Sequence, residues 1–250
     1  MCGSGSYTSQ LARLKKRVLI VIPAYNEEAT IGKVIRRVRE SVPEADVLVV
    51  DDCSTDKTAE IARKMGVVVI SHDIRKGIGG AVKTGMRYAL EKGYTIMVQV
   101  DADLEHDPRF IQHVIAPILK NKANISIGSR FLNRRPGGLA REMPIFRIIG
   151  IVFFSRLTSM LSGQKITDCT SGFRALDRKA MEILVKEYPL DFPDASVLIY
   201  ASFRGLRIAE VPILYRARPA GRSSLRGLQL LFYPLRQLYY ILKVCCLKKL

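Results

Sequence analysis

The sequence predicts an α/β fold, a mostly parallel sheet flanked by helices, followed by a C-terminal amphipathic helical segment. Three observations carry this reading. Short apolar runs alternate with helical patterns through the first half of the chain. Several runs are continuously apolar, as strands buried on both faces must be. Strand–helix alternation at short spacing implies βαβ units around a parallel sheet.

Taken in order, Val18 to Ile22 is an apolar run that ends at Pro23. Ile31, Val34, Ile35 and Val38 recur at helical spacing, with Thr30 as the expected cap. Val47 to Val50 reads as the second strand, Thr58 to Met65 as a short helix and Val67 to Ile70 as the third strand. A Gly-rich loop with Gly77, Gly79 and Gly80 then leads into a helix through Leu90. Ile96 to Val100 is a fourth strand entering Asp101-Ala102-Asp103, followed by a helix after Pro108 and a strand at Asn124 to Ile127. In the second half, helices are predicted at Pro144–Leu161, Lys179–Lys186 and Asp194–Phe203, and strands at Ser171–Leu176 and Arg207–Ile213. Arg216 to Ser224 is a basic loop. From Leu225 to Lys243, Leu228, Leu231, Phe232, Leu235, Tyr239 and Leu242 share one face, while Arg226, Gln229, Arg236 and Lys243 occupy another. Pro234 is expected to kink or break that segment. The expected organisation is a disordered tail or expression remnant at 1–16, a main domain at 17–224 and a basic interfacial segment at 225–250.

Composition narrows the function. A hydrophobic content of 48% in 250 residues supports a sizeable core and argues against disorder. Five cysteines without CxxC spacing argue against a disulfide framework or a zinc site and for reduced thiols. No signal-peptide pattern and no run of about 18 uncharged apolar residues is found. The expectation is therefore cytoplasmic placement without a conventional transmembrane helix. The net charge of +17 implies an anionic partner. From Tyr200 to Leu250 there are ten Lys or Arg against one acid, Glu210, so that partner belongs with the second half.

Three acidic clusters follow strand ends: Asn26-Glu27-Glu28, Asp51-Asp52 and Asp101-Ala102-Asp103. In an open parallel sheet those ends converge on the ligand crevice. Crowded carboxylates repel unless a cation or a donor-rich ligand joins them, and hard oxygens suit Mg²⁺ or Mn²⁺. The alternative is that the acids cap helices. Other motifs fail: an EF-hand needs Gly where His106 stands, no GxxxxGK[ST] loop is present, and Val82 replaces the last Gly of GxGxxG. An aspartyl-phosphatase DxDx[TV] pattern is broken by Glu105.

Val21-Ile22-Pro23-Ala24-Tyr25-Asn26-Glu27-Glu28, Val50 to Asp56 and Asp101 to His106 resemble the family 2 glycosyltransferases of GT-A (Rossmann-like) fold. Gly128-Ser129-Arg130, Asp168 to Phe173 and Glu210-Val211-Pro212 resemble their dolichol-phosphate mannose synthase branch. The resemblance runs from Arg17 to Lys243 and implies roles at matching positions. Pro23, Tyr25, Glu27, Asp52, Lys76 and Ala102 would hold the nucleotide of a nucleotide-diphosphate sugar donor. Asp101 and Asp103 would face ribose and metal, and Glu105, commonly Gln in the mannose synthases, would be a further ligand of Mg²⁺ or Mn²⁺. Arg130 and Arg147 would lie near the phosphates, and Arg218 and Arg222 would clamp the diphosphate or an acceptor phosphate. Ala220 stands where a synthase arginine is expected, and only Asp194 is acidic where relatives often carry Glu near Ser196.

The expected reaction is inverting transfer of a hexose from a GDP- or UDP-sugar to polyprenyl phosphate. A phosphate acceptor is already anionic and needs no general base. His106 is the histidine nearest the site, while His72 and His113 read as surface residues. Asp168 keeps two readings, an acceptor-loop residue or a cap on the Ser171-Gly172 turn. The C-terminal segment also keeps two: lying at an anionic membrane surface from the cytoplasmic side, or packing its Leu face on the core. Transfer to a soluble sugar or protein hydroxyl is the alternative activity. A nucleic-acid-binding module fits the charge but lacks stacking platforms and a recognition motif, so nucleic acid is not an expected partner.

Overall fold

The structure, a computed structural model, describes residues 17–132, 143–189, 193–214 and 228–247. Its strands are β1 (Val18–Ala24), β2 (Asp46–Asp51), β3 (Val68–Ser71), β4 (Ile96–Gln99), β5 (Ile125–Ser129), β6 (Arg174–Asp177) and β7 (Ile208–Pro212). Its helices are α1 (Ile31–Ser41), α2 (Thr58–Lys64), α3 (Gly77–Glu91), α4 (Ile111–Leu119), α5 (Ile145–Ser162), α6 (Arg178–Glu187), α7 (Ala195–Phe203) and α8 (Leu228–Leu247). The sheet order is β3-β2-β1-β4-β6-β5-β7. All pairings are parallel except those of β6, which runs antiparallel to both β4 and β5.

The sheet is buried on both faces, which explains its unbroken apolar runs. In β1, Leu19 and Val21 point to a core shared with Ala81, Val82 and Met86 of α3 and with α6 and α7. Val18, Ile20 and Ile22 point the other way, onto α1 and α4. Helix α3 lies close to β1 because Gly85 has no side chain: a Cβ there would stand 2.5 Å from Val21 Cγ1.

Strand order reverses direction at β1, with β2 and β3 on one side and β4 on the other. The β1–β4 register ends at Val21 and Gln99, whereas β1 stays paired with β2 to Ala24 and Asp51. A crevice therefore opens between Pro23 and Asp101, the expected ligand position in such sheets.

Several local details differ from the sequence reading. Gly77, Gly79 and Gly80 form the first turn of α3 rather than a loop. Thr30 makes no side-chain cap; its hydroxyl donates back to Glu27 Oε2 at 2.9 Å. His72 is buried, not on the surface. Helix α8 continues through Pro234. The predicted Leu face of α8 is not the one that packs on the core. Tyr233 and Gln237 instead donate to Asp194 Oδ2 at 2.6 and 3.0 Å, and Ile241 is buried. Phe232 is exposed, and Leu235, Tyr239 and Leu242 are 61%, 63% and 65% exposed. Side chains of 228–231 and the basic loop lie outside the described residues, as does the 1–16 tail.

Helices α5 and α8 both pack on α7, and Phe154 of α5 meets Tyr233 of α8 edge-on at 6.5 Å. Among the described residues one helix, α5, is long and apolar enough to cross a membrane by length and composition. It carries Arg147 and Arg156 and exposes Ile145, Phe146, Ile149, Phe153 and Met160.

Gly85→Ala forces a methyl into Val21 and is expected to cost about 1–3 kcal/mol, read as a lower urea midpoint at unchanged slope.

Candidate active site

The loops beyond β1, β2 and β4 build one cavity of ≈ 230 Å³. Each loop contains a non-glycine residue at positive φ: Asn26 (54°), Cys53 (65°) and Leu104 (64°). Such left-handed turns are uncommon and sharply redirect the chain. The first two loops are laced together. Asn26 N donates to Ser54 Oγ at 2.9 Å, and Thr55 N donates to Asn26 Oδ1 at 2.8 Å. Glu28 N donates to Asp56, and Lys57 N to Glu28, both at 3.1 Å. Much of both motifs therefore fixes loop geometry.

The cavity wall includes Pro23, Tyr25, Glu27, Asp52, Asp101, Ala102, Asp103, Glu105 and Arg147, all singled out from the sequence. The sequence reading missed Arg75, whose guanidinium lies 3.9 Å over the Tyr25 ring, and Ile78 and Ala81 of α3. These residues follow Asp52 by more than twenty positions and belong to none of the motifs, so no local spacing signals them.

Asp52 has a structural partner set. Its Oδ1 accepts from Lys76 N and its Oδ2 from Gly77 N, each at 2.8 Å, so it anchors the start of α3. His72 Nδ1 lies 2.8 Å from the same Oδ1, and His72 Nε2 reaches Thr84 at 2.9 Å. The helix-capping alternative thus describes Asp52, although the capped helix is α3 rather than the next one in sequence. Lys76 contributes its amide here and is not among the cavity-lining residues.

Asp101 sits where the antiparallel β6 begins. Gln99 Nε2 donates to its Oδ1 at 3.1 Å, and His106 Nδ1 lies 3.4 Å from its Oδ2. His106 is buried and rests on the Phe173 ring. Gly172 leaves the space for this carboxylate: a Cβ there would stand 2.6 Å from Asp101 Oδ2. Asp103 Oδ1 accepts from Glu105 N at 2.9 Å, which sets both acids on one tight turn. Arg147 Nη2 lies 3.6 Å from Glu105 Oε2.

Among the described residues no three His, Cys, Asp or Glu side chains are grouped to hold a metal unaided. Asp103 and Glu105 nevertheless fit Mg²⁺ or Mn²⁺. Such a cation characteristically takes one or two protein carboxylates and completes its shell with substrate phosphates and water.

Arg130 and Asp168 lie elsewhere. The expectation put Arg130 at the phosphates. The structure buries it against Asp168, whose Oδ2 accepts from Arg130 N at 3.0 Å and from Nε at 2.7 Å. Arg130 Nη2 reaches Asp168 Oδ1 and Thr170 Oγ1, both at 2.7 Å. A buried guanidinium needs a matched carboxylate, and this fork supplies one. Asp168 does not cap the Ser171-Gly172 turn; Ser171 Oγ donates instead to Gly128 O at 2.7 Å. Glu210 completes the network by accepting from Thr167 N and Asp168 N at 2.8 Å. Arg218, Ala220 and Arg222 lie outside the described residues.

The Glycosyl transferase family 2 model matches residues 19–184. The chain is 34% identical to the undecaprenyl-phosphate mannosyltransferase of Micrococcus luteus, covering 84% of this chain and 88% of that protein. It is 32% identical to the UDP-N-acetylglucosamine–dolichyl-phosphate N-acetylglucosaminyltransferase of Methanococcus voltae, covering 79% and 85%. A solved structure of glucosyl-3-phosphoglycerate synthase from Mycobacterium tuberculosis, with Mn²⁺ and UDP-glucose bound, superposes at a TM-score of 0.72. That protein is 25% identical to this chain, and the match covers 95% of this chain and 81% of that one.

Burial, the largest influence on Asp168, opposes its ionisation, but the charge and hydrogen bonds of Arg130 outweigh it and hold the carboxyl below the usual range. Its contribution to stability is therefore complete above the unfolded value, about 3.9, and is lost as pH falls through the lower folded value. Asp168→Asn is expected to cost about 3–5 kcal/mol at pH 7 by urea denaturation. The gap to the unmodified chain should narrow as pH falls below the unfolded value and through the lower folded one.

Proposed function

This chain belongs to glycosyl transferase family 2, and from that premise we propose that it is an inverting, metal-dependent enzyme moving a hexose from a GDP- or UDP-sugar to a polyprenyl phosphate. The observation that carries the reading is the cavity at the β1/β4 break, where Tyr25, Glu27, Asp52, Asp101, Asp103, Glu105, Arg75 and Arg147 converge. It supplies an aromatic face for a base, carboxylates for ribose hydroxyls and a cation, and guanidinium groups for phosphate.

Within that cavity the Tyr25 ring, backed by Arg75, takes the nucleobase by stacking. Asp101, held by Gln99, accepts from a ribose hydroxyl. Asp103 and Glu105 would hold a divalent cation, which would supply Lewis-acid stabilisation of the diphosphate leaving group. Arg147, beside Glu105, adds a guanidinium where negative charge builds as the bond from sugar C1 breaks. Arg218 and Arg222 of the basic loop take the acceptor phosphate. Displacement at C1 by an acceptor oxygen from the opposite face inverts the centre. No histidine is among the described lining residues, which accords with an acceptor already anionic at neutral pH.

Two further features support a lipid acceptor. The relatives act on undecaprenyl and dolichyl phosphates by name. Exposed apolar side chains of α5 and α8 suit insertion into a headgroup layer, with the basic C-terminal region drawn to anionic lipid on the cytoplasmic face. These features support reading the chain as a peripheral protein of that membrane.

Radiolabel from the sugar donor is expected in the organic phase when polyprenyl phosphate is supplied. Label confined to water-soluble products would sink the lipid reading and favour a soluble hydroxyl acceptor. Thermal shift separately tests the donor site: UDP or GDP should stabilise the chain more with Mn²⁺ than without. Asp103→Ala should remove the metal-dependent part of that shift, and an undiminished Mn²⁺ effect would overturn the metal assignment.

A further inference from the structure

A second cavity of ≈ 350 Å³ lies among α3, α6, α7 and α8 and shares no described lining residue with the first. Its chemistry is distinct. Lys83 of α3, Lys186 of α6 and Lys243 of α8 line it, against one acid among the described lining residues, Glu187. Among the described residues none of the three lysines makes a salt bridge. The hydrogen bond found there is Lys83 Nζ donating to the Lys186 carbonyl at 3.3 Å. Lysines from three different helices therefore line one cavity, and an anion seated there would be shared among like charges that otherwise repel.

In the same wall, Ser196 is 1% exposed and its hydroxyl has no hydrogen-bond partner among the described residues. A buried hydroxyl is ordinarily paired, and leaving one unpaired costs stability unless a ligand supplies the partner. The remaining walls are apolar and aromatic: Tyr188 and Tyr200 are buried, and Tyr240 of α8 closes one side. Lysines that can each donate to a different oxygen, a hydroxyl donor within and apolar walls around them match a tetrahedral oxyanion carrying an organic substituent. Lys243 and Tyr240 adjoin Tyr239 and Leu242 on α8, both strongly exposed. The cavity therefore opens beside an apolar surface.

We infer that this cavity binds a phosphate group, brought either as a free phosphate or as the headgroup of an anionic phospholipid. The inference uses neither the donor nor the acceptor assignment of the first cavity, so it stands or falls separately.

The test titrates the full chain with inorganic phosphate and with dioctanoyl phosphatidic acid, by calorimetry. The combined variant Lys83→Gln, Lys186→Gln, Lys243→Gln is expected to weaken both ligands at least about tenfold, and Ser196→Ala to weaken them about threefold, because charge-assisted hydrogen bonds carry most of such binding. The nucleotide-induced thermal shift should not change in either variant. Phosphatidic acid binding about tenfold tighter than phosphate assigns the site to a lipid headgroup, and equal affinities assign it to free phosphate. Binding by the triple variant within about twofold of the unmodified chain, or no binding of either probe, overturns the proposal. Should the triple variant fail to fold, Ser196→Ala together with the exposed single change Lys186→Gln decides on the same criteria.

Discussion

Beyond Val21 and Gln99 the strands β1 and β4 stop pairing, while β1 remains bonded to β2 as far as Ala24 and Asp51. That divergence creates the crevice, and the rest of the site is arranged around it. Pro23 has no N–H to offer a ladder and stands beyond the last β4 partner, so the missing donor costs nothing on that side. The loop after β1 must turn sharply at Asn26 and the loop after β4 at Leu104, and each adopts a left-handed conformation to do so. Gly85 brings α3 close behind β1, and Gly172 brings the start of β6 against Asp101. Both walls thus depend on backbone approaching where no Cβ stands.

The acids of this chain divide into two kinds by what they touch. Asp52, Asp56 and Glu28 accept from backbone amides and hold the loops and the start of α3. Asp168 and Glu210 lock the segment before β6, the first through Arg130 and the second through two successive amides. Asp101, Asp103 and Glu105 line the cavity from one short turn after β4. Asp52 belongs to both kinds, since it caps α3 and also lines the cavity. A ligand there meets a carboxylate whose position is already set by His72 and two amides, which limits the reorganisation that binding requires.

Helix α8 shows how a sequence periodicity can be right while its orientation stays open. The apolar stripe through Phe232, Leu235, Tyr239 and Leu242 is present, but polar Tyr233 and Gln237 make the docking contacts, through Asp194. Burial and the Asp194 charge push the Tyr233 phenol up, in keeping with a hydroxyl that donates to that carboxylate. The stripe is thus left facing outward beside α5, which also exposes large apolar side chains. Both helices thus rest on α7 with apolar side chains left outward, and the α8 face adjoins the lysine-lined cavity through Tyr240 and Lys243.

The sequence by itself determined the alternation of strands and helices, the acids at three strand ends and the family motifs, because these are local patterns of residue type and spacing. It identified nine residues of the cavity wall on that basis. Tertiary structure decided what no local pattern holds. Arg75 meets Tyr25, and Ile78 and Ala81 join the wall, only because α3 packs behind β1. Arg130 turns to Asp168 because the two are buried together, 38 residues apart in sequence, where neither charge is tolerable alone. His72 goes inside because Asp52 and Thr84 meet there to bond both ring nitrogens. The direction of β6, and the face that α8 presents, were likewise set by partners distant in the chain, since a strand's neighbours and a helix's buried side are properties of packing rather than of the segment itself.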